Sequence, residues 1–133
     1  GSVMRALALV LGLAACSPLP DTVGEAAPSQ TLFTLVEVNG APAPYRASLR
    51  LLQKGGVRGS APCGPLTAEQ TAPLPWVEFS DIRTFETCED GGAQAAYVAL
   101  LSRMEFAEVA GDALLLTNID GETLFYRAGA PGV

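Results

Sequence analysis

The sequence predicts a mainly β (α+β) fold: a curved antiparallel sheet or small barrel of about seven to eight strands with one packed helix. Three observations lead there. Short segments of alternating polarity recur through residues 31–128, tight-turn pairs such as Asn39-Gly40, Gly111-Asp112 and Asp120-Gly121 punctuate them, and a single stretch carries a helical period.

Taken in order, residues 31–38 alternate, with Leu32, Thr34, Val36 and Val38 on one face and Phe33 and Leu35 on the other. Asn39-Gly40 then breaks the run. Residues 46–53 carry Leu49, Leu51 and Leu52 and run into Lys54-Gly55-Gly56, after which Val57-Arg58-Gly59-Ser60 resumes, so a hairpin is expected. Beyond a proline-rich approach, residues 76–79 read as a further short strand and residues 81–87 as another. Ala93, Ala96, Tyr97, Leu100, Leu101 and Met104 form one apolar stripe at helical spacing, with Asp90 placed as its N-cap. Such a helix is expected to pack on the sheet. Residues 106–110, 113–117 and 122–127 then make a meander joined by two tight turns. Closure into a barrel would remove exposed sheet edges, and the pattern alone leaves closed and open forms both standing.

A leader precedes this domain. Met4-Arg5 supplies a positive charge and residues 6–15 are apolar apart from Gly12, which matches the charged and apolar regions of a secretory signal. The run is too short to span a bilayer, which takes about 20 apolar residues, and the polar, proline-broken Ser17-Pro18-Leu19-Pro20-Asp21 follows it. Residues 1–15 are therefore expected to be cleaved, with Gly1-Ser2-Val3 read as an expression remnant. Leu13-Ala14-Ala15-Cys16 resembles the bacterial lipobox, in which the cysteine is acylated and becomes the first residue of the mature protein. Cys16 is thus the expected lipidation site and the membrane the expected partner through it; an ordinary signal peptide with an incidental cysteine, or a buried apolar segment, is the alternative. Ser17 is similar to the sorting signal of Gram-negative outer-membrane lipoproteins, which places the expected location at the outer membrane, facing the periplasm. Residues 16–30, rich in Pro, Ala, Ser and Gly, read as the lipidated N-terminus and a flexible tether, and residues 31–128 as one domain.

With Cys16 assigned to lipid, Cys63 and Cys88 are left as an even pair in an oxidising compartment, where a disulfide is expected and two buried free thiols are the alternative. The formal net charge is −6, and one unit more negative once Arg5 leaves with the leader. That balance argues against nucleic acid and against an electrostatic grip on anionic lipid.

The chain has no histidine, so the commonest general base and the commonest zinc ligand are both missing. A nucleophilic Cys63 or Cys88 would find only Lys54 or an arginine to activate it. Glu86, Glu89 and Asp90 cluster around Cys88, and Asp112, Asp120 and Glu122 lie at turns; none has the spacing of a calcium loop or a paired-carboxylate hydrolase, and they read as turn residues on a solvated acidic face. Trp76 adjoins Val77 and Phe79 and is expected in the core, an exposed stacking platform being the alternative; Tyr97 is expected in the core as well. Arg46, Arg50 and Arg58 fall on one hairpin, where they make a small basic patch or simply an exposed strand face.

The order of landmarks carries a resemblance. A first strand ends near Asn39-Gly40, and a hairpin leads to Gly59-Ser60-Ala61-Pro62-Cys63. Thr84-Phe85-Glu86-Thr87-Cys88 precedes the helix, and Gly111-Asp112-Ala113-Leu114-Leu115-Leu116 and Asp120-Gly121-Glu122-Thr123-Leu124-Phe125 follow it. This order resembles the META domain family of HslJ-like bacterial lipoproteins over nearly all of residues 33–127. In that family a Gly-x-x-Cys-Asn-type turn and a Thr-x-x-x-Cys segment are the signature, and Cys63 and Cys88 fall on its two cysteine positions. The chain departs from it at Gly64, where Asn is usual, in two extra residues between Gly59 and Cys63, and at Gln94 or Ala95, where an acidic residue is common. The resemblance implies an envelope lipoprotein or secreted module, linked in some bacteria to stress or drug tolerance, with no established catalytic activity; no catalytic residue, metal or cofactor is expected from the residues themselves. Competing readings are an enzyme inhibitor or small hydrophobic ligand binder presenting residues 61–71 as a loop, and an enzyme whose carboxyl groups converge in a cleft.

Overall fold

The computed structural model describes residues 22–27, 31–89 and 91–129, so Cys16, the leader and Asp90 lie outside the described residues. Strand β1 spans Leu32–Val38, β2 Ala41–Pro42, β3 Ser48–Leu51, β4 Gly56–Ala61 and β5 Gly64–Glu69. Strand β6 spans Ser80–Thr84, β7 Phe106–Ala110, β8 Ala113–Thr117 and β9 Thr123–Ala128. Helix α1 is the single turn Val23–Ala26 and helix α2 spans Gly91–Ser102.

The strands form one antiparallel sheet in the order β6-β5-β4-β3-β1-β9-β8-β7, with the two-residue β2 folded back on β1. The sheet curls into a half-barrel with α2 over its inner face. Its two ends do not pair with each other. Instead the β5–β6 connection runs along β7: Trp76 bridges Phe106, Val77 N–H donates to the Glu105 carbonyl and Ala107 N–H to the Pro75 carbonyl, both at 2.9 Å. The edge of β7 is thereby covered without barrel closure.

Alternation decides what lies inside. Leu114 and Leu116 of β8, Leu124 and Tyr126 of β9, and Phe33 and Leu35 of β1 are buried, while their neighbours along each strand are only half-buried or exposed. Register carries the inner row sideways from Phe33 to Leu49, then Gly59, then Leu66. Gly59 takes its place in this row because β3 approaches closely there: a Cβ would run into the Ser48 carbonyl. Turn chemistry fixes the register at the other end. Asn39 and Gly40 take positive φ of 54° and 80° in the β1–β2 turn, and Asn39 exchanges two 2.9 Å bonds with Thr123, donating its N–H to the Thr123 carbonyl and accepting the Thr123 N–H on Oδ1. The side chain extends the β1–β9 ladder past the end of β1.

Several expectations change. The helical stripe is narrower than the spacing predicts: Tyr97, Leu100 and Leu101 are buried, Ala96 is exposed, and Met104 is buried beyond the end of α2. Residues 76–79 are not a strand but a single bridge, because the Trp76 N–H turns back to the Pro73 carbonyl and the Glu78 N–H goes to Gln70 Oε1, which leaves the Val77 N–H to bond the strand side at Glu105. Trp76 is 52% exposed, contrary to the expected core position; Val77 and Phe79 turn inward in its place, and the parity of the segment puts Trp76 outside with Glu78. Within the tether expectation, residues 22–27 hold a capped helical turn, Thr22 Oγ1 accepting the Glu25 N–H, with Val23 buried in the core and Gly24 against the Leu52 backbone. Residues 61–71 are not a loop but the turn into β5, whose Leu66 and Ala68 are buried.

Gly59→Ala is expected to destabilise the fold by about 2–3 kcal/mol, since the new methyl group meets backbone that can move only by shifting the strand. A fall in the urea midpoint at unchanged slope would report it; a neutral substitution would mean that β3 and β4 sit further apart than described.

Candidate functional site

Chemistry-bearing side chains gather in three places. The first is the turn between β4 and β5, where Cys63 is joined to Cys88 with a Cα–Cα separation of 5.4 Å. The two are 25 positions apart, and closing such a loop stabilises the native state by about 3.5 kcal/mol in the chain-entropy model. The free-thiol alternative is thereby set aside. Beside the disulfide, Gln94 of α2 accepts the Cys63 N–H at 3.0 Å and donates Nε2–H to the Glu86 carbonyl at 2.9 Å. An acidic residue could make only the first of these bonds, so the amide suits the site it occupies. Glu86 packs its carboxylate beside Gly64, whose φ is +152° and where a Cβ would have to push the Glu86 side chain aside.

At the other end of α2, Arg103 clamps Glu122 with two bonds, Nε to Oε1 at 3.0 Å and Nη2 to Oε2 at 2.8 Å. Buried Asn118 completes the set. Its Nδ2–H donates to Glu122 Oε1 at 2.9 Å while its Oδ1 accepts the N–H groups of Asp120 and Glu122. Hydrogen bonds from Arg103 first and Asn118 second lower the Glu122 pKa to about 2. This carboxylate is a structural anchor for the β8–β9 turn.

The third place is the outer face of the sheet, which carries two grooves. One, of about 230 Å³, is lined by Pro75, Phe106, Glu108, Leu115 and Thr117, and Trp76 stacks beside it on Phe106 with ring centroids 5.0 Å apart. The other, of about 400 Å³, lies over β4 to β6 and includes Arg58, Thr67, Arg83, Glu69, Asp81 and Phe85. Register places Arg50 directly opposite Arg58, Arg58 opposite Thr67, and Thr67 opposite Arg83. Like charges facing each other on adjacent strands are destabilising, by up to about 1 kcal/mol. Arg83 bonds Asp81 at 3.0 Å in an exposed pair, whereas Arg50 Nε is buried with no acceptor.

The sequence thus located the cysteine pair and the basic hairpin, which Arg46 approaches from its exposed position before β3. It did not bring Arg83 to the same row. Tyr97 is in the core as expected, its hydroxyl 2.8 Å from that of Tyr126 and its ring edge-on to Tyr45. Burial raises the pKa of both Tyr97 and Tyr126. Asp112 pairs with Arg127 on the surface, and Glu86, Glu89 and Asp120 stay exposed. Among the described residues no group of three or more His, Cys, Asp or Glu could hold a metal ion, and no helix is long and apolar enough to cross a membrane.

The META domain profile matches residues 26–130. No curated protein sequence matches significantly. The fold is similar to the crystal structure of a DUF4847 family protein from Bacteroides vulgatus, with TM-score 0.62 and 13% identity over 79% of this chain and 96% of that one. It is also similar to the NMR structure of a protein from Burkholderia xenovorans, with TM-score 0.63 and 17% identity over 87% and 94% of the two chains. At these identities the likeness concerns the fold.

The Glu122 cluster makes a pH prediction. Its folded pKa lies below the unfolded value, so its contribution is complete above the ordinary carboxylate range and is lost as pH falls from about 4.5 towards 2. Melting temperatures followed from pH 6 to pH 2 are expected to fall less steeply in Glu122→Gln than in the parent chain; parallel slopes would show that the clamp is not formed in solution.

Proposed function

Because the chain belongs to the META domain family, we propose that it is a non-catalytic binding module of a bacterial cell envelope, held by lipid on Cys16 and serving envelope integrity under stress. One observation carries the reading: the Cys63–Cys88 disulfide. Such bonds persist in oxidising compartments and are rare in reducing ones, which agrees with the apolar leader and with Leu13-Ala14-Ala15-Cys16 at its end. A lipid on Cys16 supplies the membrane attachment that a net charge of −6 does not favour. With Ser17 following, the anchor is assigned to the outer membrane, the domain facing the periplasm.

A binding role suits what each face offers. The inner face is filled by Tyr97, Leu101 and their neighbours, which leaves recognition to the outer face. There an exposed tryptophan stacks on Phe106 beside one groove and an arginine row borders the other. No residue of either groove is assigned a catalytic step.

Intact mass of the protein isolated from membranes tests the anchor. The expected result is a chain beginning at Cys16 with acyl mass added, and a Cys16→Ala variant that leaves the membrane fraction. An unacylated chain in both preparations would overturn the envelope reading.

A further inference from the structure

We propose that the outer face of β3 to β6 is a binding site for a small phosphate ester, with Arg50, Arg58 and Arg83 as the groups that hold the phosphate. The inference deepens the reading of the domain as a binding module and names its ligand class, but does not depend on the lipid anchor.

Placement is the first argument. In a chain of net charge −6 with only eight lysines and arginines, three arginines stand in one cross-strand row: Arg50 opposite Arg58, then Thr67, then Arg83. Four adjacent strands spaced about 4.8 Å apart put the ends of that row about 14 Å from each other, within reach of one small ligand once the long side chains converge. A sheet gains nothing from facing arginines, and among the described residues no carboxylate pairs with Arg50 or Arg58. Arg50 Nε is buried without an acceptor. Arg83 has only Asp81, in an exposed pair that a better acceptor can replace.

The lining selects the ligand. Arginine forks match the oxygens of phosphate in bidentate fashion, and the Thr67 hydroxyl lies between Arg58 and Arg83 as a further donor. The adjoining groove of about 400 Å³ has room for a compact organic body. Glu69 and Asp81 line the same groove, where they accept hydrogen bonds from hydroxyl groups and repel a flat anionic surface. Phe85, 62% exposed, adds an apolar wall. A hydroxylated phosphate ester fits this mixture of groups better than an anionic membrane does.

The test is a ¹H–¹⁵N NMR titration of the whole chain with glycerol 3-phosphate and with inorganic phosphate, alongside Arg58→Gln and Lys54→Gln variants and sedimentation with phosphatidylglycerol vesicles. Saturable shifts confined to Arg50, Arg58, Thr67 and Arg83 are expected, stronger with the ester, weakened about tenfold in Arg58→Gln and unchanged in Lys54→Gln. Arg58→Gln is also expected to melt no lower than the parent without ligand, because a repulsion is removed. Equal weakening in both variants, absence of saturable shifts, vesicle binding without a response to the ester, or a markedly lower melting temperature for Arg58→Gln would each overturn the proposal. None of these outcomes touches the mass measurement on Cys16, so the ligand class and the anchor fail separately.

Discussion

One buried contact sets the arrangement of everything around it: the Tyr97 hydroxyl of α2 meets the Tyr126 hydroxyl of β9 at 2.8 Å inside the curl of the sheet. Both side chains are fully buried, and a buried hydroxyl without a partner is costly. The pair therefore holds the helix at one depth and one rotation. Tyr45 packs edge-on against Tyr97 at 5.8 Å, and Leu100 and Leu101 lie on the same side of the helix. With that face committed, α2 closes the half-barrel, and its ends must be tied down where their own apolar contacts run out. The disulfide and Gln94 do so at the first turn; Arg103, Glu122 and Asn118 do so past the last.

The sequence showed this architecture unevenly, and the reasons are physical. The β7–β9 meander was legible because its alternating residues and tight turns are local properties. Strand β5 was not, since Gly64 and Pro65 carry weak strand preference and Pro62, Gly64 and Pro65 obscure the turn; its strand character comes from pairing on both sides, with β4 and β6. Missing β5 also hid Arg83, whose place in the arginine row depends on a register that runs through Thr67. Arg50 and Arg58 were legible because one hairpin sets them opposite each other. Trp76 was misplaced for a different reason. Its apolar neighbours Val77 and Phe79 argued for burial, while the parity it shares with Glu78 argued for exposure, and parity won once Val77 and Phe79 took the inward positions.

The same division of faces gives the functional picture its shape. An interior filled with leucine and tyrosine leaves recognition to the convex side. There the fold keeps features that its stability does not require: arginines that face one another and an exposed Phe85, beside a tryptophan that stacks on Phe106 yet stays half open to solvent. Proteins that place such groups on a rigid sheet hold them in fixed relation to one another, as recognition requires.

The measurement that tests the account most directly is native-state amide hydrogen exchange on the disulfide-bonded protein. If α2 is part of the core through the tyrosine pair, amides around Leu100 and Leu101 exchange with the same opening free energy as those of Phe33 and Leu35 in β1, through global unfolding alone. Exchange in α2 faster than in β1 by orders of magnitude would contradict the account, because the helix would then be lifting from a sheet that holds together without it.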